Sequence, residues 1–199
     1  MLYYLMMRDV VDRDLWQRCV DAAVANEDVL PLIHLRPFRM AWYYLQHHHA
    51  DMDLIDFQDK FWYAERYYNA TAIESEFMKK EEYRNFKGFL NGHLLVYPVP
   101  FVILNNIFVI HFALYKQKIG FNYYPRDRTM RETQRVSELQ KLHGKLLGYQ
   151  GWEIMEMGSY EFEDMTFQER DMFFREWLRE AKERQIKKGI MPRVPPKYP

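Results

Sequence analysis

The feature that most constrains the fold is the apolar run VPFVILNNIFVIHFAL, which occupies residues 99–114. Valine, isoleucine and phenylalanine favour strands, and the Asn105-Asn106 pair between the two halves suits a two-residue hairpin turn, since asparagine tolerates positive φ. The run predicts strands at about residues 99–104 and 107–115. A further short strand is predicted at residues 120–124. The middle of the chain is therefore expected to be β-structure built around a hairpin.

The first 92 residues have a different pattern, in which apolar side chains recur at helical spacing. We predict a helical region over residues 1–92. Its helices are expected at about residues 9–25, 37–47, 53–68 and 71–90, with Asp9 or Asp12 capping the first and Pro37 in the first turn of the second.

Helical periodicity returns after residue 125, where Val136, Leu139, Leu142 and Leu146 share one face of a predicted helix that Gly148 would end. The segment WEIMEM, residues 152–157, is the next predicted strand. Thr166 and Glu169 have the spacing of a capping box at the start of a closing helix. The inward face of that helix is expected to carry Phe167, Phe174, Leu178 and Ala181.

These patterns predict an α+β fold with three regions. A helical region covers residues 1–92, a small mixed αβ unit with a C-terminal helix covers residues 93–188, and residues 189–199 form an extended proline-rich tail. No apolar run reaches the roughly 18 to 20 residues that a membrane helix needs, so the chain is not expected to span a membrane.

Charge and composition narrow the functional classes. The 28 basic and 28 acidic residues cancel, so any attraction to nucleic acid must come from local patches. A single cysteine, Cys19, excludes an intrachain disulfide and favours a reducing compartment. Aromatic residues make up 17% of the chain, and aromatic side chains and Met are enriched at interfaces. We expect a chain that contacts other subunits.

Basic residues are concentrated before Gly148 and near the C-terminus. The candidate RNA-binding residues, which would contact phosphates, are Arg126, Arg128, Arg131, Arg135, Lys141, Lys145, Lys187 and Lys188. Tyr123, Tyr124 and Tyr149 lie near them in sequence and could stack on bases. The alternative is an ordinary solvated helix face, with basic residues favoured at a helix C-terminus.

The sequence contains no pattern that predicts a catalytic or metal site. His47, His48 and His49 are adjacent, whereas helical metal ligands are spaced three or four residues apart. There is no second cysteine, HExxH motif, nucleophile elbow, P-loop or GxGxxG motif. We therefore predict no catalytic residues, no metal, no cofactor and no small-molecule substrate.

The strand IFVIHFAL, the basic helix RVSELQKLHGKLL, the segment GYQGWEIMEM and the helix ERDMFFREWLREA follow one another over residues 107–181. In this order the segment resembles the RAP domain. The resemblance implies a restriction-endonuclease-like αβ fold of the kind found in organellar RNA-binding proteins. The family's D-G-P-x-H segment after the first strand is absent, and Glu153 and Glu156 alone do not make a nuclease site.

The shortened, aromatic-rich chain is similar to accessory proteins of divergent, kinetoplastid-type mitochondrial ribosomes. This resemblance implies a non-enzymatic structural component in the mitochondrial matrix, with rRNA and other ribosomal subunits as partners. The alternative is an accessory subunit of a mitochondrial membrane complex, such as a respiratory complex or ATP synthase, with no RNA contact. A metal-dependent nuclease of the same fold is the third hypothesis.

Overall fold

A computed structural model describes residues 2–25, 35–51, 79–104, 108–130, 133 and 135–191. The helices are α1 (Leu2–Met7), α2 (Arg13–Ala25), α3 (Leu35–His48), α4 (Glu81–Gly92), α5 (Glu138–Tyr149), α6 (Ser159–Asp164) and α7 (Phe167–Lys187). The strands are β1 (Val99–Leu104), β2 (Phe108–Leu114), β3 (Ile119–Tyr124) and β4 (Glu153–Gly158), and short 3-10 turns follow β2 and β3.

The four strands form one mixed sheet in the order β1-β2-β3-β4. β1 pairs antiparallel with β2, and β2 pairs antiparallel with β3. β4 runs parallel to β3, with Ile119 opposite Glu153 and Tyr124 opposite Gly158. A parallel pair needs a crossover connection, which α5 provides. The predicted α+β fold, with N-terminal helices and a C-terminal helix, is confirmed.

The sheet is buried between two layers of helices. One core, which we call the N-terminal core, joins α1, α2, α3 and α5 to the sheet. It contains Leu5, Met6, Trp16, Val20, Met40, Ala41, Tyr44, Leu45, Phe108, Ile110, Ala113, Leu142, Leu146, Leu147 and Trp152. Trp16 is anchored there by its indole N–H, which donates to Val10 O at 2.7 Å. The helices before residue 49 therefore share a core with the strands.

The opposite face of the sheet carries the C-terminal core, which packs against α4, α6 and α7. Its buried members include Tyr83, Phe86, Phe89, Leu90, Phe112, Phe121, Tyr123, Met155, Met157, Phe162, Phe174, Leu178 and Ala181. Phe86 stacks on Tyr123 with ring centroids 4.5 Å apart, and Phe174 lies 5.1 Å from Phe89. Many of the aromatic residues of the sequence are buried in this layer.

Local signals place several elements correctly. Strand 99–104 is confirmed to the residue, and the Thr166–Glu169 capping box closes the start of α7 in both directions. Asp12 caps α2, because its Oδ1 accepts from Leu15 N at 2.9 Å. The predicted helix at 53–68 and the Asn105-Asn106 turn lie outside the described residues.

Other local predictions are wrong. Gly148 does not end α5, which continues through Tyr149, and it is Gly151 that adopts the left-handed conformation with φ of 86°. Phe167 does not face inward and is 54% exposed, because it occupies the first turn of α7 beyond the edge of the core. The predicted tail lies outside the described residues except for residues 189–191, of which Met191 packs on the C-terminal core. Within the described residues, no helix is long and apolar enough to cross a membrane.

Candidate functional site

The carboxyl ends of the parallel strands β3 and β4 meet at one edge of the sheet. In open αβ sheets, ligands bind in the crevice outside the carboxyl ends of the strands. The chain leaves β3 through Pro125 and crosses the end of β4, where Thr129 Cγ2 lies 3.2 Å from the position that a Cβ on Gly158 would occupy. The loop after β3 therefore covers the edge at which a ligand is expected.

Three segments bring basic side chains to this edge. The loop itself supplies Arg126 and Arg128, and a backbone hydrogen bond from Met130 N to Arg135 O, 3.0 Å long, folds Arg135 back towards it. The start of α4 approaches from the other side, since Lys80 Nζ donates to Asp127 Oδ2 at 2.5 Å. We call Lys80, Arg126, Arg128, Arg135 and Tyr160 the carboxyl-edge surface.

Arg126 is the best defined side chain of this surface. Its guanidinium lies over the Tyr160 ring, 5.4 Å from the centroid, and is ion-paired with Glu163. Tyr160 and Glu163 are three residues apart on α6 and so share one helix face. The Glu163 carboxylate raises the pKa of Arg126 above its ordinary value. An aromatic face beside arginines is a combination that single-stranded nucleic acids use for stacking and phosphate contact.

Arg126, Arg128 and Arg135 of this surface were predicted from the sequence. Lys80 was missed because it precedes a helix that is distant in sequence, and Tyr160 because nothing local links it to Arg126. Arg131 lies outside the described residues.

The two predicted lysines of α5 have different surroundings. Lys141 is exposed and pairs with Glu138, 2.8 Å away and three residues earlier. Lys145 instead bonds Asp9 at 2.6 Å and lies 5.8 Å from the Tyr44 ring centroid, so it joins α5 to the end of α1. The Lys145 hydrogen bond lowers the pKa of Asp9 below its ordinary value. Lys145 thus has a structural role in addition to any contact with RNA.

Lys187 and Lys188 lie at the opposite end of the sheet. Lys188 Nζ is 2.6 Å from Glu153 Oε1, at the first residue of β4, and Gln185 bonds Lys118 O just before β3. A six-residue strand is about 20 Å long, so roughly that length separates these lysines from the carboxyl-edge surface. The structure does not bring the two predicted basic clusters together.

Two of the three predicted stacking tyrosines are buried, and the third has one ring face covered. Tyr123 is 1% exposed within the C-terminal core, and Tyr124 is 9% exposed. One face of Tyr149 is covered by His47, whose ring is parallel to it at 3.8 Å, and its hydroxyl lies 3.1 Å from His48 Nε2. Helices cover both faces of the sheet at β3, so Tyr123 and Tyr124 are buried although they point to opposite faces.

A chain of buried polar groups crosses the middle of the sheet. Tyr123 N donates to His111 Nδ1 at 3.1 Å, and His111 N donates to Asn122 Oδ1 at 3.0 Å. Asn122 Nδ2 then donates to Glu156 Oε1 at 3.1 Å. Phe101, on the strand next to His111, has φ of 49°, which is strained for a bulky residue. The sequence signal for this hydrogen-bond network is the presence of two polar residues, His111 and Asn122, inside apolar strands.

Burial keeps the titratable members of this polar chain neutral near pH 7. Burial raises the pKa of Glu156 to about 8, against the opposing effect of hydrogen bonds from Tyr124 and Asn122. Burial likewise lowers the pKa of His111 to about 4. A strongly shifted carboxyl and imidazole in one network are typical of active sites, although structural networks shift pKa values too.

The geometry around Glu156 favours the structural interpretation. Gly144 of α5 lies against the carboxyl, since a Cβ at that position would be 2.5 Å from Glu156 Oε1. Glu153 lies on the other face of β4, where Arg184 and Lys188 bond it. The two glutamates therefore do not converge, and α5 covers the one that is neutral. Among the described residues there is no cluster of three or more His, Cys, Asp or Glu that could hold a metal.

No protein-family model matches this chain, and no curated protein is significantly similar to it. The resemblance to the RAP domain therefore stays a prediction, and a functional proposal depends on the geometry.

Proposed function

We propose that this chain is a non-catalytic structural component of a mitochondrial ribosome that binds rRNA and neighbouring proteins in the matrix. The observation that carries the RNA-binding part is the carboxyl-edge surface. Three arginines, Lys80 and the half-buried Tyr160, whose ring lies beneath the Arg126 guanidinium, come together there from the loop after β3, the start of α4, and α6. The identity of the assembly and its compartment rest on the family resemblance alone.

The order of elements supports the resemblance. The RAP-like interpretation requires a strand, a basic helix, a turn containing glycine, a second strand and a closing helix. The chain has β2, a spacer that contains β3, then α5, the turn at Gly151, β4 and finally α6 and α7.

Two sets of contacts support the proposal that the chain is not a nuclease. Metal-dependent phosphodiester cleavage needs carboxylates that converge on a metal. Glu156 is covered by Gly144, and Glu153 is neutralised by Arg184 and Lys188 on the opposite face. The Glu156 carboxyl thus contacts α5, and the Glu153 carboxyl pairs with residues of α7 and its C-terminal end.

RNA affinity measured against salt concentration tests the proposal. We expect the purified chain to bind single-stranded RNA, and the triple variant Arg126→Ala, Arg128→Ala, Arg135→Ala to bind it more weakly. Each phosphate contact contributes about 0.7 to the slope of log K against log salt for single strands, so the slope should fall by about 2. The matched control removes three cations at the other end of the sheet, Lys182→Ala, Lys187→Ala, Lys188→Ala, and should lose less affinity.

The assembly is tested separately in the native source. Co-purification of rRNA and ribosomal proteins that is lost on ribonuclease treatment supports a ribosomal component. Retention of a ribonuclease-resistant set of membrane-complex subunits, without RNA, overturns the proposal and leaves the accessory-subunit alternative.

In the affinity experiment, equal affinity of the two triple variants and the wild type for RNA would remove the carboxyl-edge surface from the proposal.

A further inference from the structure

Carboxylates already occupy two cations of the carboxyl-edge surface. Glu163 pairs with Arg126, and Asp127 pairs with Lys80. The pairs come from different elements, since Glu163 belongs to α6 and Asp127 to the loop after β3. Glu82 Oε1 is a third nearby carboxylate oxygen, 3.5 Å from Arg126 N.

We propose that Glu163 and Asp127 are intrinsic competitors of RNA phosphate, which restrain binding at the carboxyl-edge surface until phosphates displace them. This inference rests on the proposed function and adds its regulation. RNA binding would then be an exchange of one anion for another around Arg126 and Lys80, and the surface would discriminate against isolated phosphates.

The exchange follows from the exposure and geometry of the pairs. The Arg126 and Glu163 side chains are 59% and 38% exposed, so water and salt weaken their attraction and make displacement feasible. Arg126 also contacts the Tyr160 ring, so the guanidinium keeps a second partner that does not depend on the Glu163 carboxylate. An incoming phosphate also meets repulsion from Glu163 as long as that carboxylate stays within ion-pair distance of Arg126.

Glu163 could compete with phosphate or could position Arg126, and the two roles predict opposite changes in RNA affinity when the charge of Glu163 is removed. If Glu163 served to hold Arg126 in a binding orientation, then removing its charge would weaken RNA binding. If it competes, then removing its charge strengthens binding, because phosphate no longer has to displace a carboxylate from Arg126.

The test measures the affinity of the full chain for a single-stranded RNA oligonucleotide at several salt concentrations. We compare Glu163→Gln, Asp127→Asn and the double variant with Glu183→Gln, which removes the same charge from an α7 pair with Arg179. Each surface variant should bind about two- to fivefold more tightly than wild type. The control should equal wild type.

Circular dichroism and thermal unfolding check that all variants fold as wild type does. Unchanged or weaker binding by Glu163→Gln and Asp127→Asn overturns the competition, even when the triple arginine variant shows that the surface binds RNA. An increase of the same size in Glu183→Gln would also overturn it, because the effect would then be one of net charge. A wild-type chain and variants that all fail to bind RNA would overturn the proposed function together with this inference.

Discussion

Gly144 of α5 lies directly against Glu156 of β4, so close that a Cβ on residue 144 would be 2.5 Å from Glu156 Oε1. This contact lets the crossover helix pack on a buried carboxyl instead of being held away from the sheet. Gly148, one turn later in the same helix, has nothing within 4 Å of its hypothetical Cβ. The two glycines therefore form a matched pair for mutation.

Gly144→Ala should lower the free energy of unfolding by about 1–3 kcal/mol, because the added methyl group overpacks the contact with Glu156. Gly148→Ala should raise it by about 0.5–1 kcal/mol, since alanine favours helices and meets no neighbour there. Urea unfolding of both variants measures the difference. The same change in both would mean that helix propensity, and not the Glu156 contact, controls stability at residue 144.

Glu156→Gln should be more stable than wild type at pH 8 to 9, by about 3–5 kcal/mol at 1.36 kcal/mol for each pKa unit. The pKa of Glu156 is about 8 in the folded protein and 4.5 without the fold. The folded state therefore holds the proton more tightly, and stability present below pH 4.5 is lost as the pH rises through 8. Unfolding free energies between pH 4 and 9 test this, and a variant whose advantage does not grow with pH would contradict it.

Glu153→Gln, on the same strand, should lower the stability of the protein, whereas Glu156→Gln raises it. Burial would raise the pKa of Glu153, but bonds to Lys188 and Arg184 outweigh it and lower the pKa below its ordinary value. Its stability is therefore present above the unfolded pKa and is lost as the pH falls. The variant should lose about 1 kcal/mol at pH 7, because both partners are partly exposed, and should match wild type in strong acid. A loss that persists in acid would point to packing.

Gln185→Met should cost about 1–3 kcal/mol of unfolding free energy. The buried Gln185 Nε2 donates to Lys118 O at 2.7 Å and to Gly151 O at 2.9 Å, and so joins α7 to two turns. Lys118 O keeps a second donor in Glu153 N, so the main cost is the carbonyl of Gly151. Gln168→Met, at an exposed position of α7, should stay within about 0.5 kcal/mol of wild type. Similar losses in both variants would contradict a specific role of the amide.

Thr166→Ala should lose about 1 kcal/mol, because the Thr166 side chain accepts from Glu169 N at the start of α7. Thr166→Ser keeps the hydroxyl and should retain most of the wild-type stability. Thermal unfolding distinguishes the two, and a serine variant as unstable as alanine would exclude the cap as the cause.

The features that the sequence predicted are those that depend on neighbours in the chain. Strand 99–104 follows from β-favouring side chains, and the capping box at Thr166 follows from a three-residue spacing. Gly148 and Gly151 can both adopt the positive φ that often follows a helix, because glycine has no Cβ. The sequence does not show which of the two does so. Local patterns could not decide it.

The carboxyl-edge surface was only half predictable for a different reason. Arg126, Arg128 and Arg135 are close in sequence, so their clustering was visible. Lys80 reaches them because α4 packs on the same face of the sheet as α6, and that packing depends on contacts between distant segments such as Phe86 and Phe162. Ion pairing with Glu163 was invisible for the same reason.

The parallel pairing of β3 with β4 also sets an order of events during synthesis. β1, β2 and β3 can pair as soon as each is made, because Leu104 meets Phe108 and Leu114 meets Ile119 across short connections. β3 cannot pair with β4 until α5 and β4 have been synthesised. The connection between them is also longer, and closing a longer loop costs more entropy. Meanwhile β3 is an unpaired edge carrying Phe121 and Tyr123, a template for association with other chains. The nascent protein is most vulnerable to aggregation in this interval, which ends when β4 docks.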